Sequence, residues 1–216
     1  MTLFLHHHPL SSNAQKVRLM LDTIGAPYEL REVPFEVDRA AWHVAVNPMG
    51  GIPAIVDDGF ELAESNTILR YLAVRDGRDD LYPQDARDRA QVDWVLDLWA
   101  IVIRPALFPY EAAQYGIALG LGLFAKEIAP EDEVRALFDK AVPKLNQAME
   151  VLDPVGPWAR LGRRTIADIA ATPVLHRVAH APVDLDQVPR MRQWADACLA
   201  DPVWQALVPT CGVPAR

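Results

Sequence analysis

The sequence has few cysteines and no excess of positive charge. Its 216 residues include two cysteines, Cys198 and Cys211, and no Cys-x-x-Cys pair, so neither a dithiol redox site nor a cysteine-rich zinc site is expected. Two free thiols are the expected state, with a disulfide between them as the alternative. The formal net charge of -8 argues against a nucleic-acid partner, because binding to phosphates requires a basic surface.

Targeting segments and long apolar runs are also lacking. The sequence begins with no basic region followed by an apolar core, so no signal peptide is predicted. The most apolar region, residues 100–125, is interrupted by charged residues and prolines and is too broken to cross a membrane. The three histidines from His6 to His8 point alternately to opposite faces of an extended chain, so no metal site is expected. A cytoplasmic protein is the resulting expectation.

A Pro- and Gly-rich segment is the most informative feature of the sequence. Residues 47–56 read Asn-Pro-Met-Gly-Gly-Ile-Pro-Ala-Ile-Val, so a turn-prone loop leads directly into an Ile-Pro bond and a short apolar strand. Only X-Pro bonds take the cis form at low cost, and a cis bond here would turn the backbone of Ile52 outward to pair with a peptide. Glu64 and Ser65 then begin a helix, whose N-terminus attracts a carboxylate. This combination fits a small acidic peptide such as glutathione.

Hydrophobic periodicity divides the chain into two parts. The first part predicts the order strand, helix, strand, helix, strand, strand, helix, which is a thioredoxin-like α/β arrangement. We expect this domain over residues 1–77, a polar linker over 78–85, and an all-α C-terminal domain over 86–216. The glycine-rich stretch 116–123 is expected to be mobile or a closely packed helix. Helices are predicted over four later ranges, namely Ala86–Ile103, Glu131–Leu152, Thr165–Val178 and Gln187–Ala200.

Two further motifs extend the pattern over the whole chain. Residues 8–13, His-Pro-Leu-Ser-Ser-Asn, precede the apolar helix that begins near Asn13, and residues 165–168 read Thr-Ile-Ala-Asp. With the segment at 47–56 and Glu64–Ser65, they resemble the glutathione S-transferase superfamily. The His-Pro-x-Ser frame is similar to the phi class. Residues 11–18 also resemble the zeta class, but Asn13, Ala14 and Lys16 depart from its motif, which argues against zeta isomerase activity and leaves the subclass unassigned.

The resemblance implies a serine-type catalytic site. Ser11 would donate a hydrogen bond to the glutathione thiolate and lower its pKa, with Ser12 as the alternative and Asn13 as a second donor. The simpler explanation is that Ser11 or Ser12 only caps the helix. The family's other options, tyrosine or cysteine, are badly placed here, because the first tyrosine is Tyr28 and the first cysteine is Cys198.

The resemblance also implies a glutathione site. Ile52 and Pro53 would dock the cysteinyl part, Glu64 would face the γ-glutamyl amino group, and Ser65 would bind its carboxylate or serve only as an N-cap. His43 would reach the glycyl carboxylate, or else be an exposed surface histidine. Gly51 stands where the family often has Gln or Lys, so one side-chain contact with glutathione is missing.

An acceptor pocket is expected against the helical domain. The candidates that line it are polar or aromatic side chains near the catalytic loop and the first long helix: His8, Trp99, Arg104, Phe108, Tyr110, Tyr115 and Phe124. Of these, Arg104 could bind an acidic acceptor. Ordinary core packing is the alternative for the aromatic residues. Thr165 and Asp168 are expected to form a structural capping box. Loss of either residue should lower the free energy of unfolding by roughly 0.5–2 kcal/mol.

The family implies a homodimeric glutathione transferase with glutathione as co-substrate and no metal. Its reaction would transfer the glutathione thiolate to a small electrophile. Two alternatives stay open: a non-catalytic binding module with the same fold, or a glutathione-dependent reductase of disulfides or peroxides. Fold alone does not choose between them.

Overall fold

A four-stranded sheet with three helices forms the N-terminal part of the protein. The computed structural model describes residues 2–35, 38–118, 123–124, 127–152 and 156–211. The sheet has the order β2-β1-β3-β4, with β1 parallel to β2 and antiparallel to β3, and β4 antiparallel to β3. The elements are β1 (Leu3–His7), α1 (Ser12–Ile24), β2 (Glu29–Glu32), α2 (Ala41–Val44), β3 (Ala54–Asp57), β4 (Phe60–Ala63) and α3 (Ser65–Arg75). This thioredoxin-like α/β arrangement confirms the predicted fold class.

Helices dominate the rest of the described chain. A π-helical segment at Trp99–Ile103 joins the first two of them without a break. The helices are α4 (Ala86–Leu98), α5 (Arg104–Tyr115), α6 (Glu131–Leu152), α7 (Ile166–Ala179), α8 (Pro189–Leu199) and α9 (Pro202–Leu207). Helix α1 ends where Gly25 adopts a left-handed conformation with φ of 69°, as the sequence predicts for this glycine.

Three elements of the helical part differ from the sequence prediction. Helix α5 passes through Pro109, where the sequence analysis saw only an interrupted apolar run, and α9 was not predicted. Residues 117–118 and 123–124 pair as a two-stranded ribbon (β5 and β6), whereas a mobile segment or a helix was expected for 116–123. The ribbon is a small departure from an all-α domain.

One hydrophobic core runs through both parts of the chain. It includes Leu5 and Leu69 from the α/β part as well as Phe138 and Trp204 from the helical part. The predicted polar linker over residues 78–85 also contributes, because Leu81 is buried and its carbonyl accepts a hydrogen bond from the Ile166 N–H at 3.0 Å. The first and second parts are therefore packed on each other, and the site described next lies where they meet.

Cys198 and Cys211 are both buried free thiols. Burial raises the pKa of the Cys211 thiol to about 11, which keeps it protonated at neutral pH. In the described part of the chain, no helix is long and apolar enough to cross a membrane.

Candidate functional site

Ser11 is the N-cap of α1, at the end of the loop that follows β1. Its backbone is extended, with φ of -79° and ψ of 109°, and its Oγ accepts a hydrogen bond from the Ala14 N–H at 3.3 Å. A hydroxyl has one donor and two acceptor positions, so accepting this bond leaves the O–H available. The side chain is half-buried. Capping and donation to a ligand are therefore compatible functions of the same hydroxyl.

The two neighbouring candidates have different surroundings. Ser12 is the first residue of α1 and is buried, whereas Asn13 is exposed. Of the two serines, Ser11 is the one that combines a loop position with partial exposure.

The loop before β3 is held together by side chains that converge on one carbonyl. The Gly51 oxygen accepts a hydrogen bond from Asn47 Nδ2 at 2.7 Å and lies 3.0 Å from His43 Nε2. The next residue, Ile52, is half-buried and is followed by a cis peptide bond to Pro53. Asn47 and His43 therefore fix the backbone immediately before the expected docking residue.

His43 is a buried residue with two hydrogen-bonding partners. It is 0% exposed, and its Nδ1 lies 3.1 Å from His6 Nδ1. Because a carbonyl only accepts, His43 Nε2 carries the hydrogen, and its Nδ1 accepts from the protonated Nδ1 of a neutral His6. Both ring nitrogens of His43 have partners and the side chain is fully buried, so the alternative of a surface histidine is wrong. His43 supports the Gly51 backbone in this arrangement, and its contact with a glycyl carboxylate stays a prediction.

Both histidines are held in the neutral form. Burial lowers the pKa of His6 to about 4, with further contributions from His43 and Arg31. Burial also lowers the pKa of His43, against the opposing effect of its hydrogen bond to the Gly51 carbonyl. The chain of hydrogen bonds requires a neutral His43, because its Nδ1 accepts while its Nε2 donates.

The N-terminus of α3 is open to a ligand. Its N-cap is Glu64 and not Ser65 as expected, and the Glu64 side chain makes no capping hydrogen bond. Glu64 has φ of 65°, a left-handed conformation that costs a non-glycine residue on the order of 1–3 kcal/mol. Ser65 is the first helical residue and is buried. An uncapped helix N-terminus carries partial positive charge and free N–H donors, which suit a carboxylate.

Lys16 lies beside this helix N-terminus. It is 4% exposed, and its Nζ donates to Asn66 Oδ1 at 2.6 Å. Burial lowers the pKa of Lys16 to about 7, with Arg104 also lowering it and Glu64 raising it. The sequence analysis quoted Lys16 only as a motif residue.

A buried ion cluster connects the helical part to the loop before α1. Glu111 on α5 is 0% exposed and contacts both Arg104 and Arg177. Arg177 on α7 also donates from Nη2 to the carbonyl of Leu10, the residue before Ser11. The sequence analysis did not single out Glu111 or Arg177 as functional. Charged residues inside apolar stretches of sequence were the available signal.

The structure brings only some of the expected acceptor residues to this junction. Trp99 and Tyr110 lie in the helical core, where they pack edge-to-face on Trp194 and Phe138. Core packing, the alternative for these aromatic residues, thus accounts for both positions.

Other acceptor candidates lie beside the buried ion cluster or in the loop before α1. Tyr115 donates to the carbonyl of Arg177 at 3.2 Å, and the guanidinium of Arg104 lies 4.8 Å from the ring centroid of Phe108. His8 stacks on Phe35 with ring centroids 3.7 Å apart. The side chain of Phe124 lies outside the described residues.

The expected capping box is present at the start of α7. Thr165 Oγ1 accepts from the Ala167 N–H, and the Asp168 carboxylate accepts from the Thr165 N–H at 2.7 Å. Asp168 also accepts from Trp194 Nε1 at 2.8 Å, so it joins α7 to α8 as well as capping α7. Its role is structural.

The chain matches known proteins over its whole length. The family model for the glutathione S-transferase N-terminal domain matches residues 5–79. The glutathione S-transferase D7 of Anopheles gambiae is 30% identical over 92% of this chain and 86% of its own.

Two solved structures share the fold. Glutathione S-transferase III in its apo form superposes with a TM-score of 0.77 at 26% identity and covers 100% of both chains. The theta class glutathione S-transferase of Xanthomonas axonopodis pv. citri, with glutathione bound, has a TM-score of 0.79 at 22% identity and covers 95% of this chain and 96% of that one. The chain therefore belongs to the glutathione S-transferase superfamily.

Proposed function

We propose that this protein is a glutathione transferase, in which Ser11 stabilises the thiolate of bound glutathione for attack on a small electrophile. The observation that carries this proposal is the position of Ser11, whose hydroxyl caps α1 and keeps its proton available. The N-terminus of α1 adds positive potential at the same place. Both effects favour the ionised thiol, which is the nucleophile.

Glutathione would lie across three elements of the α/β part. The backbone of Ile52 pairs with the cysteinyl residue, the loop being held by Asn47 and His43. The γ-glutamyl carboxylate binds at the uncapped N-terminus of α3 near Ser65, and Glu64 faces the amino group. These assignments are supported by the family membership and by the geometry of the loop and the helix N-terminus.

The transfer step is redox-neutral. With an aryl chloride, the thiolate sulfur forms a bond to the ring carbon, and chloride leaves with the electrons of the broken bond. The thiol proton passes to solvent when glutathione ionises. Such a step needs no protein cysteine, and in this protein both thiols are buried.

Steady-state kinetics with an aryl chloride test the assignment of Ser11. Ser11→Ala should lower kcat/KM at neutral pH roughly ten- to hundredfold, because each unit of thiol pKa changes the thiolate fraction about tenfold. Ser11→Thr should recover most of the activity, since it keeps the hydroxyl. Ser12→Ala is the matched control and should change kcat/KM little. Equal losses in both alanine variants would reject Ser11 as the catalytic hydroxyl.

A domain division and a homodimer belong to the same proposal. Residues 1–77 would bind glutathione, 78–85 would connect, and 86–216 would supply the acceptor pocket in a cytoplasmic dimer.

Salt bridges from Arg70 to Asp93 and Asp97 hold α3 against α4. On or beside these elements, four large apolar side chains are exposed: Phe60, Val74, Trp94 and Ile101. Sedimentation of Ile101→Glu should give monomer if this surface forms the dimer.

A further inference from the structure

Two guanidinium groups share one buried carboxylate at the junction between the two parts of the chain. Glu111 is 0% exposed and contacts Arg104 through one oxygen and Arg177 through the other. One negative charge between two positive charges leaves an excess of one positive charge. This excess lies in a protein whose formal net charge is -8, so the local potential is opposite to that of the whole molecule.

The ion cluster lies against the catalytic loop. Arg177 is almost fully buried and also holds the Leu10 carbonyl, one residue before Ser11. Arg104 belongs to the same cluster, and its side chain keeps 22% of its surface exposed. Of the two arginine side chains, Arg104 is therefore the more exposed one.

The surroundings of Arg104 suit a flat anion on an apolar body. Its guanidinium is centred 4.8 Å from the ring centroid of Phe108, which is half-buried, and its Nη1 contacts Glu111. An arginine held in this way is pre-organised, and its planar fork matches the two oxygens of a carboxylate. The cluster therefore offers a charged group and an aromatic face together.

We propose that the electrophilic acceptor carries a carboxylate and that Arg104 binds it, with Glu111 and Arg177 holding Arg104 in position. This inference rests on the proposed glutathione transferase function and names the substrate class of that same site. The acceptor would present its apolar body to Phe108 and its reactive carbon to the sulfur beside Ser11.

Calorimetric binding of two glutathione conjugates tests the inference without requiring turnover. The probes are S-(para-carboxybenzyl)glutathione and S-(para-carbamoylbenzyl)glutathione, which differ in charge and little in shape. The wild-type protein should bind the carboxylate conjugate roughly tenfold more tightly than the amide, as expected for one charge-assisted contact. Equal affinities, or a preference for the amide, overturn the inference and leave the proposed transferase function intact.

Three variants test whether Arg104 causes the preference for the carboxylate conjugate over the amide. Arg104→Gln should abolish it while the Kd of glutathione itself stays unchanged, and Arg104→Lys should keep part of it. Arg89→Gln is the matched control, because Arg89 also lies 4.8 Å from an aromatic ring, that of Tyr82, on the surface of α4. If Arg104→Gln weakens glutathione and both conjugates equally, Arg104 serves glutathione and the inference is wrong. If neither glutathione nor the conjugates bind the wild-type protein, the proposed function itself fails.

Discussion

His6 and His43 face each other with their Nδ1 atoms 3.1 Å apart, although they lie on a strand and a helix separated in sequence. The hydrogen bond between them leads, through His43 Nε2, to the carbonyl of Gly51. A residue at the centre of the sheet thus supports the loop that presents Ile52. Under the proposed function, in which Ile52 docks glutathione, this relationship links the first histidine of the chain to glutathione affinity.

Removing this support should weaken glutathione binding without changing the chemistry of the thiol. His43→Leu leaves the Gly51 carbonyl with Asn47 as its remaining side-chain partner, and we expect the Kd of glutathione to rise roughly five- to tenfold. The pKa of the bound thiol should stay unchanged, because Ser11 is untouched. Calorimetric titration measures the Kd of glutathione, and ultraviolet titration measures the pKa of the bound thiol. An unchanged Kd would contradict the support function.

The buried histidines should make stability depend on pH in a defined window. Burial lowers the pKa of His6 and of His7 to about 4, from an ordinary value of 6.5. Between these values the unfolded chain binds protons that the folded protein does not, so these histidines lower stability as the pH drops from 6.5 toward 4 and contribute no pH dependence above that window.

Urea unfolding between pH 4 and 6.5 tests whether stability falls as the pH drops and whether His6 contributes to that fall. Each such histidine contributes a slope of at most about 1.4 kcal/mol per pH unit. His6→Phe should lower stability at all pH values, because His43 Nδ1 loses its donor, but its curve should be less steep than that of the wild type. Parallel curves would show that the pKa of His6 is the same in the folded and the unfolded protein.

Gly51 offers a gain-of-affinity test. A Cβ atom there would lie 3.4 Å from Asn47 Nδ2, an ordinary contact, so Gly51→Gln should fold normally. We expect it to tighten glutathione binding severalfold by adding the side-chain contact that the family often has. The control is Gly50→Gln, since Gly50 has φ of +66° and a Cβ would lie 3.1 Å from Arg39 Cγ, so this variant should be destabilised. If Gly51→Gln and Gly50→Gln were both as stable as the wild type and neither changed the Kd of glutathione, the expectation would be wrong.

The two residues of the capping box should differ in importance. Thr165→Ala removes a capping oxygen and should cost about 1 kcal/mol of unfolding free energy. Asp168→Ala should cost more, about 3 kcal/mol or above, because it leaves the buried donors of Thr165 and Trp194 unpaired. Thermal and urea unfolding measure the loss of stability in both variants. Since neither residue touches the site, the folded fraction of Thr165→Ala should keep its kcat/KM, and a specific loss of activity would contradict a purely structural role.

The sequence was sufficient to predict the α/β part, because its signals are local. The apolar periodicity of α1, the left-handed cap at Gly25 and the hairpin at Asp58 and Gly59 each depend on a few neighbouring residues. The uninterrupted path of α5 through Pro109 was missed, because packing against α6 overrides the local preference against proline.

The positions of the candidate site residues could be read from the sequence only where they belong to a contiguous motif. Ser11, Ile52 and Glu64 each belong to such a motif, so their positions could be read from the chain. The contacts of His43 with His6, and of Arg177 with Leu10, join residues far apart in sequence. Such contacts depend on tertiary packing, which no local pattern encodes. For the same reason Trp99 and Tyr110 were assigned to the acceptor pocket although they pack in the core.

The measurement that tests the central claim most directly is the pH titration of the thiolate absorbance of bound glutathione, for the wild type and for Ser11→Ala. A free thiol has a pKa of about 8.5. Our account predicts that glutathione bound to the wild type ionises one or more units lower, and that Ser11→Ala loses most of this shift while still binding glutathione. Binding with no shift in the wild type would contradict the catalytic role of Ser11 and favour a non-catalytic binding module.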